Sequence, residues 1–569
     1  MRFHALACDY DGTLAHDGKV DAETVAGLER LQATGRRLVL VTGRELDDLL
    51  AAFPQVDRFD RVVAENGALL YRPGDRTAAP LGERPPEAFV RALRDRGVEP
   101  LSVGEVIVAT WHPNEDTVLE AIRELGLELQ VIFNKGAVMV LPPGVNKASG
   151  LAAALAELGL SAHNTVGVGD AENDHAFMSL CECSVAVANA LPALAEQCDH
   201  VTAAPRGAGV VELVEQLVDD DLATLRPRLA RHDVVVGQAG DEPVRVPPVG
   251  ANLLLAGPSS SGKSSLVTAL LERLVGDGYQ VCLVDPEGEY ATLPGMVHLG
   301  DGRSAPAVTE VLDVLDDPAT SVTVNLLGLR LEDQPAFFED LLSPLLRLRA
   351  RTGRPHRVVL DEAHHLMPAT LDPSKLALPD ELDGMVLVAA HPDHVTPAVL
   401  ALVDVAVVLG AEPAATLGAL CEAVGQAAPS LDGGDLDPRQ ALAWWRRDGH
   451  GPVRFEFARG DLEHRRHLRK YAEGELGEDR SFYFRGPEGR LNLRAHNLML
   501  FLQLADGVDD ATWQHHLERG DYSRWLREAV KDDGLAADAE RVERDHGRDP
   551  RQTRALLREA IERRYTAPA

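Results

Sequence analysis

Short apolar runs alternate with amphipathic segments along the first part of the chain. The runs FHALACDY, RRLVLVTG and NTVGVGD have the continuous hydrophobicity of buried strands, whereas Val25, Leu28 and Leu31 recur at helical spacing after Asp21. Strands that alternate with helices predict an α/β domain with a parallel sheet. At about residues 72–141 the strand-like VEPLSVGEVIVATW and LELQVIFNKGAVMVLP flank the helix-like EDTVLEAIREL. This change of rhythm predicts a small α+β insertion that caps the sheet.

A second α/β rhythm follows residues 221–248, where Pro and Gly surround two short apolar runs and indicate a linker with a β ribbon. The predicted strands beyond it are ANLLLAG, YQVCLVD, SVTVNLLG, RVVLDEA, MVLVAAH and VAVVLG. From about residue 461 only the run SFYFRG is strand-like, and helix-like stretches dominate. We therefore predict an α/β domain at 1–220, a second at 249–460 and a mainly helical module at 461–569.

Composition narrows the class of protein. The chain has 569 residues, of which 45% are hydrophobic and 26% charged, so it is neither disordered nor fibrous. Its formal net charge of −32 repels polyanions at long range. No apolar run approaches the ~18–20 residues that span a bilayer, and the start lacks the layout of a signal peptide. The six cysteines show no CxxC pairing. We expect a cytoplasmic protein with reduced thiols.

Acidic side chains follow the first predicted strand in the string DYDGT. Asp9 and Asp11 leave the strand together, and Gly12 lets the chain turn sharply. Further polar groups stand at later strand ends or helix starts, in the strings VTGR, GVNKASGL and GVGDAENDHAF. Because the carboxyl ends of parallel strands meet at one edge of a sheet, these groups are expected to form one site.

Phosphoryl transfer to a carboxylate requires this set of residues. Asp9 would attack phosphorus and form an aspartyl-phosphate, and Asp11 would protonate the leaving oxygen and later deprotonate a water. A hard cation would offset the repulsion between the nucleophile and the phosphate. The candidate Mg²⁺ ligands are Asp9, Asp11, Asp170 and Asp174. The candidate phosphate-binding residues are Thr42, Gly43, Lys147 and Asn173.

These motifs resemble the haloacid dehalogenase superfamily, specifically the Cof-type (subclass IIB) phosphatases, whose cap is inserted between the second and third motifs. The resemblance covers roughly residues 1–215 and includes the strings AENGALLY, VAVANA and GAGVVELV. It implies a Rossmann-like domain and Mg²⁺-dependent hydrolysis of small phosphomonoesters, often sugar phosphates. Selectivity in that family lies in the cap, whose sequence does not reveal the substrate.

The string GPSSSGKSS fits the phosphate-binding spacing GxxxxGK[ST]. It directly follows the apolar run ANLLLA and directly precedes a helix-like segment. Glycines let backbone N–H groups point at phosphate, Lys263 reaches the β and γ phosphates, and Ser264 ligates Mg²⁺. The candidate ATP-binding residues here are Gly257, Ser259, Ser260, Ser261, Gly262, Lys263, Ser264 and Ser265.

The string RVVLDEAHHL supplies the partner motif. Asp361 would enter the Mg²⁺ shell, and Glu362 would polarise a water, which favours hydrolysis of ATP over transfer to a second substrate. Together with VDPEGEY, which holds Asp285 and Glu287, these strings resemble the HerA, FtsK and VirB4 type of P-loop ATPase over about residues 230–460.

That resemblance implies a RecA-like domain and a homo-oligomer whose sites are completed by a neighbour. It also places a polar γ-phosphate sensor where His391 ends the run MVLVAAH, although the related ATPases usually have Gln or Asn there. The arginine finger cannot be identified among the candidates Arg330, Arg347, Arg349 and Arg351.

Two other functions stay open. The first is an enzyme that processes nucleic-acid ends and combines a phosphatase with a kinase or an ATPase. The net charge of −32 and the acidic pair Asp361–Glu362, which favours hydrolysis, argue against it. The basic run at 464–471 and the nearby Trp444 and Trp445 would be its contact surface, but a solvated helix face with core tryptophans is the simpler interpretation. The second is a scaffold that binds ATP without sustained turnover.

Overall fold

The computed structural model separates the chain into two compact units, Met1–Ala458 and Arg459–Ala569. The residues it describes are 1–134, 136–258, 261–290, 293–371, 382–431, 434–447, 449–457, 481–487, 489, 491–530, 533–544 and 549–565. Within these ranges, no helix combines the length and the apolar character needed to cross a membrane.

The first unit begins with an α/β domain and its cap. The strands are β1 (Ala5–Cys8), β2 (Arg37–Val41), β3 (Arg61–Ala64), β4 (Leu69–Arg72), β5 (Thr77–Pro80), β6 (Ser102–Val103), β7 (Val108–Trp111), β8 (Gln130–Asn134), β9 (Ala137–Leu141), β10 (Thr165–Gly169), β11 (Cys183–Ala186) and β12 (His200–Val201). The helices are α1 (Ala22–Ala33), α2 (Leu46–Ala52), α3 (Glu87–Asp95), α4 (Glu115–Glu124), α5 (Lys147–Glu157), α6 (His175–Leu180), α7 (Pro192–Ala195) and α8 (Arg206–Asp220).

Within the described residues, eight of these strands form one sheet in the order β12-β11-β10-β1-β2-β3-β4-β5. The strands from β12 to β3 are parallel, and β4 and β5 are antiparallel additions at one edge. The central strands β1 and β10 are buried along their whole length, and β2 is buried except at Arg37, which explains their continuous apolar runs. The cap is an antiparallel sheet in the order β6-β7-β9-β8, with α3 and α4 packed on one face.

The rest of the first unit is a second α/β domain. Its strands are β13 (Val234–Ala239), β14 (Glu242–Val246), β15 (Leu253–Ala256), β16 (Val281–Asp285), β17 (Met296–Leu299), β18 (Ser321–Asn325), β19 (Arg357–Leu360), β20 (Met385–Ala389), β21 (Val405–Leu409), β22 (Gln440–Trp445) and β23 (Val453–Phe457). Its helices are α9 (Lys263–Gly276), α10 (Val308–Asp316), α11 (Gln334–Thr352), α12 (Ala363–Leu366), α13 (Pro397–Leu400) and α14 (Pro413–Ala423). In the described residues the sheet order is β14-β13-β23-β22-β21-β15-β20-β19-β16-β18-β17.

The predicted β ribbon at 221–248 is present, but it is not a separate linker element. Its strands β13 and β14 form a hairpin, and β13 also pairs with β23, so the hairpin extends the edge of the second sheet. Pairing satisfies backbone N–H and C=O groups that a free ribbon would leave exposed along one edge. The segment between the α/β domains that stays outside both sheets is the 3-10 helical stretch Ala223–His232.

The second unit contains the hairpin β24 (Phe482–Phe484) and β25 (Leu493–Ala495), followed by helices. These are α15 (Leu498–Gly507), α16 (Asp510–Glu518), α17 (Asp521–Glu528), α18 (Asp533–Glu543) and α19 (Pro550–Tyr565). Its core is rich in aromatic side chains, among them Phe482, Phe484, Phe501, Trp513, Tyr522 and Trp525. The basic run at 464–471 lies outside the described residues, whereas Trp444 is a buried residue of β22.

The two α/β domains of the first unit meet through the segments that precede their strands. Asn164 lies directly before β10, and its Oδ1 is 3.0 Å from Nε2 of His356, which lies directly before β19. The buried Arg354 donates from Nε and Nη2 to the carbonyl oxygen of Gly159, at 3.0 and 2.8 Å. Because parallel strands begin at one edge of a sheet, the amino-terminal edges of the two sheets are joined to each other.

Glu182 is the buried carboxylate of this interdomain contact. It accepts hydrogen bonds from Arg2 and from the hydroxyl of Tyr279, the latter at 2.9 Å, and Nδ1 of His163 lies 2.9 Å away. Tyr279 belongs to the second domain and stacks on the His163 ring with centroids 3.7 Å apart. Although burial alone raises the pKa of Glu182, the hydrogen bond with His163 and the charge of Arg2 lower that pKa to about 2.

Replacing Glu182 with Gln should destabilise the first unit at neutral pH. The folded pKa of about 2 lies below the ordinary value of 4.5, a difference that corresponds to about 3 kcal/mol of unfolding free energy at pH 7. This stabilisation is fully present above the ordinary pKa and disappears as the pH falls through the folded pKa. Urea unfolding at pH 7 and at pH 3 should therefore show a gap between wild type and Glu182→Gln that narrows in acid. The exposed Glu196→Gln is the control, and a gap that stays equal at both pH values would contradict the assignment.

Candidate active sites

Lys147 lies between two aspartates at the carboxyl edge of the first sheet. Asp9 directly follows β1, Asp174 ends the 3-10 turn Glu172–Asp174, and Lys147 begins α5. The Lys147 Nζ donates to Oδ1 of Asp9 and to Oδ1 of Asp174, both at 2.6 Å, and all three side chains are buried. Although burial alone lowers the pKa of Lys147, the two carboxylates raise it above its usual value. The two carboxylates therefore favour the charged form of Lys147 beside Asp9.

A third carboxylate joins this cluster. Asp9, Asp170 and Asp174 each offer an oxygen, and these atoms lie within 4.8 Å of one another. Burial and the neighbouring Asp174 raise the pKa of Asp9 to about 7, against the attraction of Lys147. Three buried carboxylates beside one ammonium group carry an excess of negative charge when ionised, which a divalent cation would relieve. The residues present therefore fit Mg²⁺.

Asp11, the fourth candidate ligand, is held by an arginine. Nε and Nη2 of Arg44 each donate to one carboxylate oxygen of Asp11 at 2.7 Å, and a bidentate pair of this kind fixes the orientation of the carboxylate. Among the described residues, the side chain of Asp11 is not part of the three-carboxylate group. Its roles as an acid and as a metal ligand remain predictions.

Gly12 brings the loop after β1 against Asp170. Its φ of +93° is left-handed, and a Cβ there would lie 2.3 Å from Oδ2 of Asp170, so a larger residue would not fit. Asn189 fixes the same loop, because its Nδ2 donates to the carbonyl oxygen of Gly12 at 2.9 Å and its Oδ1 accepts from the N–H of Arg206 at 2.8 Å. Sequence reasoning gave Asn189 no role, although the string VAVANA contains it.

Thr42 and Gly43 directly follow β2, the strand that pairs with β1, at the carboxyl edge of the sheet. Thr42 is buried, and a Cβ on Gly43 would lie 3.7 Å from Nδ2 of Asn173 and 3.8 Å from Sδ of Met139 in β9. The predicted phosphate-binding Gly43 and Asn173 are therefore neighbours, with a cap strand directly over them. Binding of phosphate by these residues remains a prediction.

The turn after β3 links the predicted motifs to one another. The N–H of Glu65 donates to the carbonyl oxygen of Arg44 at 2.8 Å, and the N–H of Asn66 donates to that of Thr42 at 3.0 Å. Nδ2 of Asn173 donates to Oδ1 of Asn66 at 2.9 Å. Glu65 and Asn66 both have left-handed φ values, +51° and +54°. Sequence reasoning recorded the string AENGALLY but assigned no role to either residue.

In the second domain Lys263 begins α9 and contacts the two residues that directly follow β15. Its Nζ donates to the carbonyl oxygens of Gly257 and Pro258 at 2.7 and 3.1 Å. Gly262 caps α9 with a φ of +97°, and a Cβ there would lie 2.7 Å from the Phe457 ring. Ser264 and Ser265 lie in the first turn of α9. Ser261 lies in the loop, where its N–H donates to the carbonyl oxygen of Pro258. Ser259 and Ser260 lie outside the described residues.

Carboxylates surround this lysine. Asp361 and Glu362 directly follow β19, and Oγ of Ser264 donates to Oε2 of Glu289 at 3.2 Å. Burial and the carboxylates of Asp285 and Glu289 raise the pKa of Asp361 well above its usual range. Burial also raises the pKa of Glu362, against the attraction of Lys263. The predicted Lys263, Asp361 and Glu362 are thus brought together, while Glu289 is a further acidic group that sequence reasoning left out.

Two other predictions concern residues around this site. His391 is exposed just beyond β20, with its ring 5.2 Å from that of His394, and its role as a γ-phosphate sensor stays a prediction. Three of the arginine-finger candidates, Arg347, Arg349 and Arg351, lie on the last turns of α11, which lead into the start of β19. They therefore lie at the sheet edge opposite to Lys263 of the same chain.

The family of the chain follows from comparison with known proteins. The model of the haloacid dehalogenase-like hydrolases matches residues 6–81 and 102–214, and the model of the central domain of helicase HerA matches residues 253–366. The chain belongs to the haloacid dehalogenase-like hydrolases through its first α/β domain and is a phosphatase of that type. A HerA-type domain follows in the same chain.

The particular relatives are small phosphatases that match the first domain. A phosphoglycolate phosphatase of Methanothermobacter thermautotrophicus is 32% identical over 222 residues, which cover 38% of this chain and 98% of that protein. A phosphoglycolate phosphatase of Halorubrum lacusprofundi is 33% identical over 209 residues, 35% of this chain and 90% of that protein. A solved haloacid dehalogenase-like hydrolase from Bacteroides thetaiotaomicron is 18% identical, covers 38% of this chain and 99% of that chain, and has a TM-score of 0.33.

Proposed function

We propose that residues 1–220 hydrolyse small phosphomonoesters with Mg²⁺ as cofactor and that residues 249–460 bind and hydrolyse ATP. The observation that supports the first activity best is the buried cluster of Asp9, Asp170, Asp174 and Lys147 at the carboxyl edge of the sheet. The second activity is supported by Lys263 in its glycine-rich loop, which faces the acidic pair after β19.

The phosphatase reaction would proceed in two steps. An oxygen of Asp9 forms a bond to phosphorus while the bond from phosphorus to the ester oxygen breaks, and Asp11 gives its proton to that oxygen, so the alcohol leaves. A water oxygen then attacks the same phosphorus and gives a proton to Asp11. The bond from phosphorus to Asp9 breaks, which releases inorganic phosphate and restores the Asp9 carboxylate and the protonated Asp11.

The remaining residues hold the reactants. Lys147 would neutralise charge on Asp9 and on the phosphoryl oxygens, and Thr42, Gly43 and Asn173 would bind those oxygens. Arg44 keeps the Asp11 carboxylate in one orientation through two hydrogen bonds. Asp9 and Asp170 would hold Mg²⁺, which when bound offsets the repulsion between an anionic nucleophile and an anionic substrate.

For the substrate we propose a short phosphorylated organic acid such as phosphoglycolate. Two relatives carry the name phosphoglycolate phosphatase and match nearly the whole first domain. Met139 of the cap lies over Gly43, and the cluster it belongs to is apolar, with Ile132, Ala109 and Ala137 around it.

In the second domain, Asp361 and Ser264 would hold the Mg²⁺ of the nucleotide, Lys263 would bind its β and γ phosphates, and Glu362 would orient the attacking water. Burial lowers the pKa of Lys263, but the carboxylates of Glu362 and Asp361 oppose that shift. A homo-oligomer through this domain stays a prediction, as does any contact with nucleic acid.

Chelation of divalent cations should abolish the phosphatase activity. With phosphoglycolate as substrate, EDTA is expected to lower the rate of phosphate release by at least about 100-fold, because a cation supplies several kcal/mol of charge stabilisation. Added Mg²⁺ should restore the rate and should raise the melting temperature by relieving the repulsion among the buried carboxylates. Asp170→Asn should lose this thermal response. Full activity in EDTA would reject the metal, and no release of phosphate from any ester with Mg²⁺ would reject the phosphatase.

A further inference from the structure

Glu65 connects the cap to the catalytic domain through three hydrogen bonds to one carboxylate. Its Oε1 accepts the N–H of Glu105 at 2.8 Å, and its Oε2 accepts the N–H groups of Val106 and Ile107 at 2.7 and 2.9 Å. These donors belong to the loop between β6 and β7 of the cap. The Glu65 side chain is buried, and the bonds from Val106 and Ile107 form away from water.

The loop fits this carboxylate closely. A Cβ on Gly104 would lie 2.6 Å from Oε1 of Glu65, so glycine is required where the loop passes the carboxylate. The N–H of Gly104 donates to the carbonyl oxygen of Ile107 at 2.9 Å, which closes the loop into a tight turn. Val106 and Ile107 are buried in the same apolar cluster as Met139.

The other end of Glu65 is attached to the phosphoryl site. Its own N–H bonds to Arg44, which holds Asp11, and the next residue, Asn66, bonds to Thr42 and to Asn173. A Cβ on Gly67 would lie 1.9 Å from the carbonyl oxygen of Asn146, directly before Lys147. The turn at 65–67 therefore contacts the strings VTGR, GVNKASGL and GVGDAENDHAF. It is linked to the remaining string, DYDGT, through Arg44, whose side chain binds Asp11.

We infer that Glu65 is a positioning residue that fixes the cap loop 104–107 over the phosphoryl site and so limits the size of the leaving group. The inference rests on the proposed phosphatase function and adds a determinant of its specificity. With the loop fixed, Met139 stays over Gly43 and presents an apolar surface on the cap side of the site. Without the carboxylate, three N–H groups lose their acceptor, two of them buried, and the loop separates from the core.

The test compares Glu65→Ala and Glu65→Gln in the full chain, with Glu157→Ala as the matched control. Glu157 also carries several hydrogen bonds, from Arg61 and Arg72, but these lie outside the site. For phosphoglycolate, Glu65→Ala should raise KM by at least about tenfold with a smaller change in kcat. The preference for phosphoglycolate over glucose 6-phosphate, measured as the ratio of kcat/KM values, should fall by a similar factor. Glu65→Gln, which keeps one acceptor oxygen, should recover part of both.

Hydrogen exchange gives a readout that does not depend on turnover. The amides of residues 105–107 should exchange at least about tenfold faster in Glu65→Ala than in wild type, while amides of β1 and β10 stay protected. An unchanged KM, an unchanged substrate ratio or unchanged exchange at 105–107 in a folded variant would overturn the inference while the phosphatase function stands. A wild-type protein that releases phosphate from no ester with Mg²⁺ would overturn the phosphatase function and the inference with it.

Discussion

Asp9→Asn should lose phosphomonoesterase activity and keep ATP hydrolysis. An amide cannot form the aspartyl-phosphate, so kcat for phosphoglycolate should fall by at least about 10⁴-fold. Unfolding is not expected to be the cause, because Lys147 keeps Asp174 as a partner. The neutral amide also replaces a carboxylate whose charged form is disfavoured, since burial and the neighbouring Asp174 raise the pKa of Asp9 to about 7. Release of phosphate from the ester and of ADP from ATP, measured on the same preparation, separates the two activities.

Asp57→Asn is the matched control for this variant. Asp57 is an exposed residue of the 3-10 turn Pro54–Arg58, in the same domain and on the surface. Both activities of the control should equal those of wild type. If ATP hydrolysis fell together with ester hydrolysis in Asp9→Asn but not in the control, the two sites would not be independent.

Lys263→Ala should have the opposite effect. Lys263 is the ammonium group held in the loop before α9 and faces several carboxylates, so its loss removes the positive charge that would bind the β and γ phosphates. We expect ATP hydrolysis to fall by at least about 100-fold, in the range seen when one charge-stabilising group is removed from a transition state. Hydrolysis of phosphoglycolate should stay within about twofold of wild type, because distant sites act independently.

The exposed Lys19→Ala serves as the control for loss of a lysine. Two results would count against the proposed ATP site. One is ATP turnover in Lys263→Ala at the wild-type rate, and the other is a wild-type protein whose ATP hydrolysis is already as slow as that of the variant. The second result would favour the scaffold that binds ATP without sustained turnover.

The sequence allowed the central strands and the groups at their ends to be predicted. Strands such as β1, β10 and β19 are buried on both faces, so their apolar runs are continuous and unmistakable. The chemistry of Asp9, Asp170 and Lys263 depends on local order along the chain, because each residue follows a strand or begins a helix. Motif spacing therefore predicts that Asp9 and Asp170 lie at one edge of the first sheet and that Lys263 lies at the corresponding edge of the second sheet.

The contacts made by turns could not be predicted in the same way. Glu65 and Asn189 lie in turns without periodicity, and their partners are 17 or more residues away in the chain. The edge pairing of β13 with β23 joins residues more than 200 positions apart. Because local sequence does not show such a pairing, the pattern predicts a linker ribbon where the structure has an edge hairpin. Likewise, the contact of Glu182 with Tyr279 depends on how two domains pack, which no local pattern encodes.

The joined amino-terminal edges determine how far a molecule must diffuse between the two candidate sites. Each catalytic group stands at the carboxyl edge of its own sheet, and the connecting strands have four or five residues. At ~3.3 Å per residue, two such strands placed end to end span roughly 30 Å. The two carboxyl edges therefore lie about that far apart and face in opposite directions. A product released at one edge is therefore diluted into bulk solvent before it meets the other. The chain joins one haloacid dehalogenase-like domain to one HerA-type domain in a fixed ratio, with their candidate sites at opposite ends of the pair.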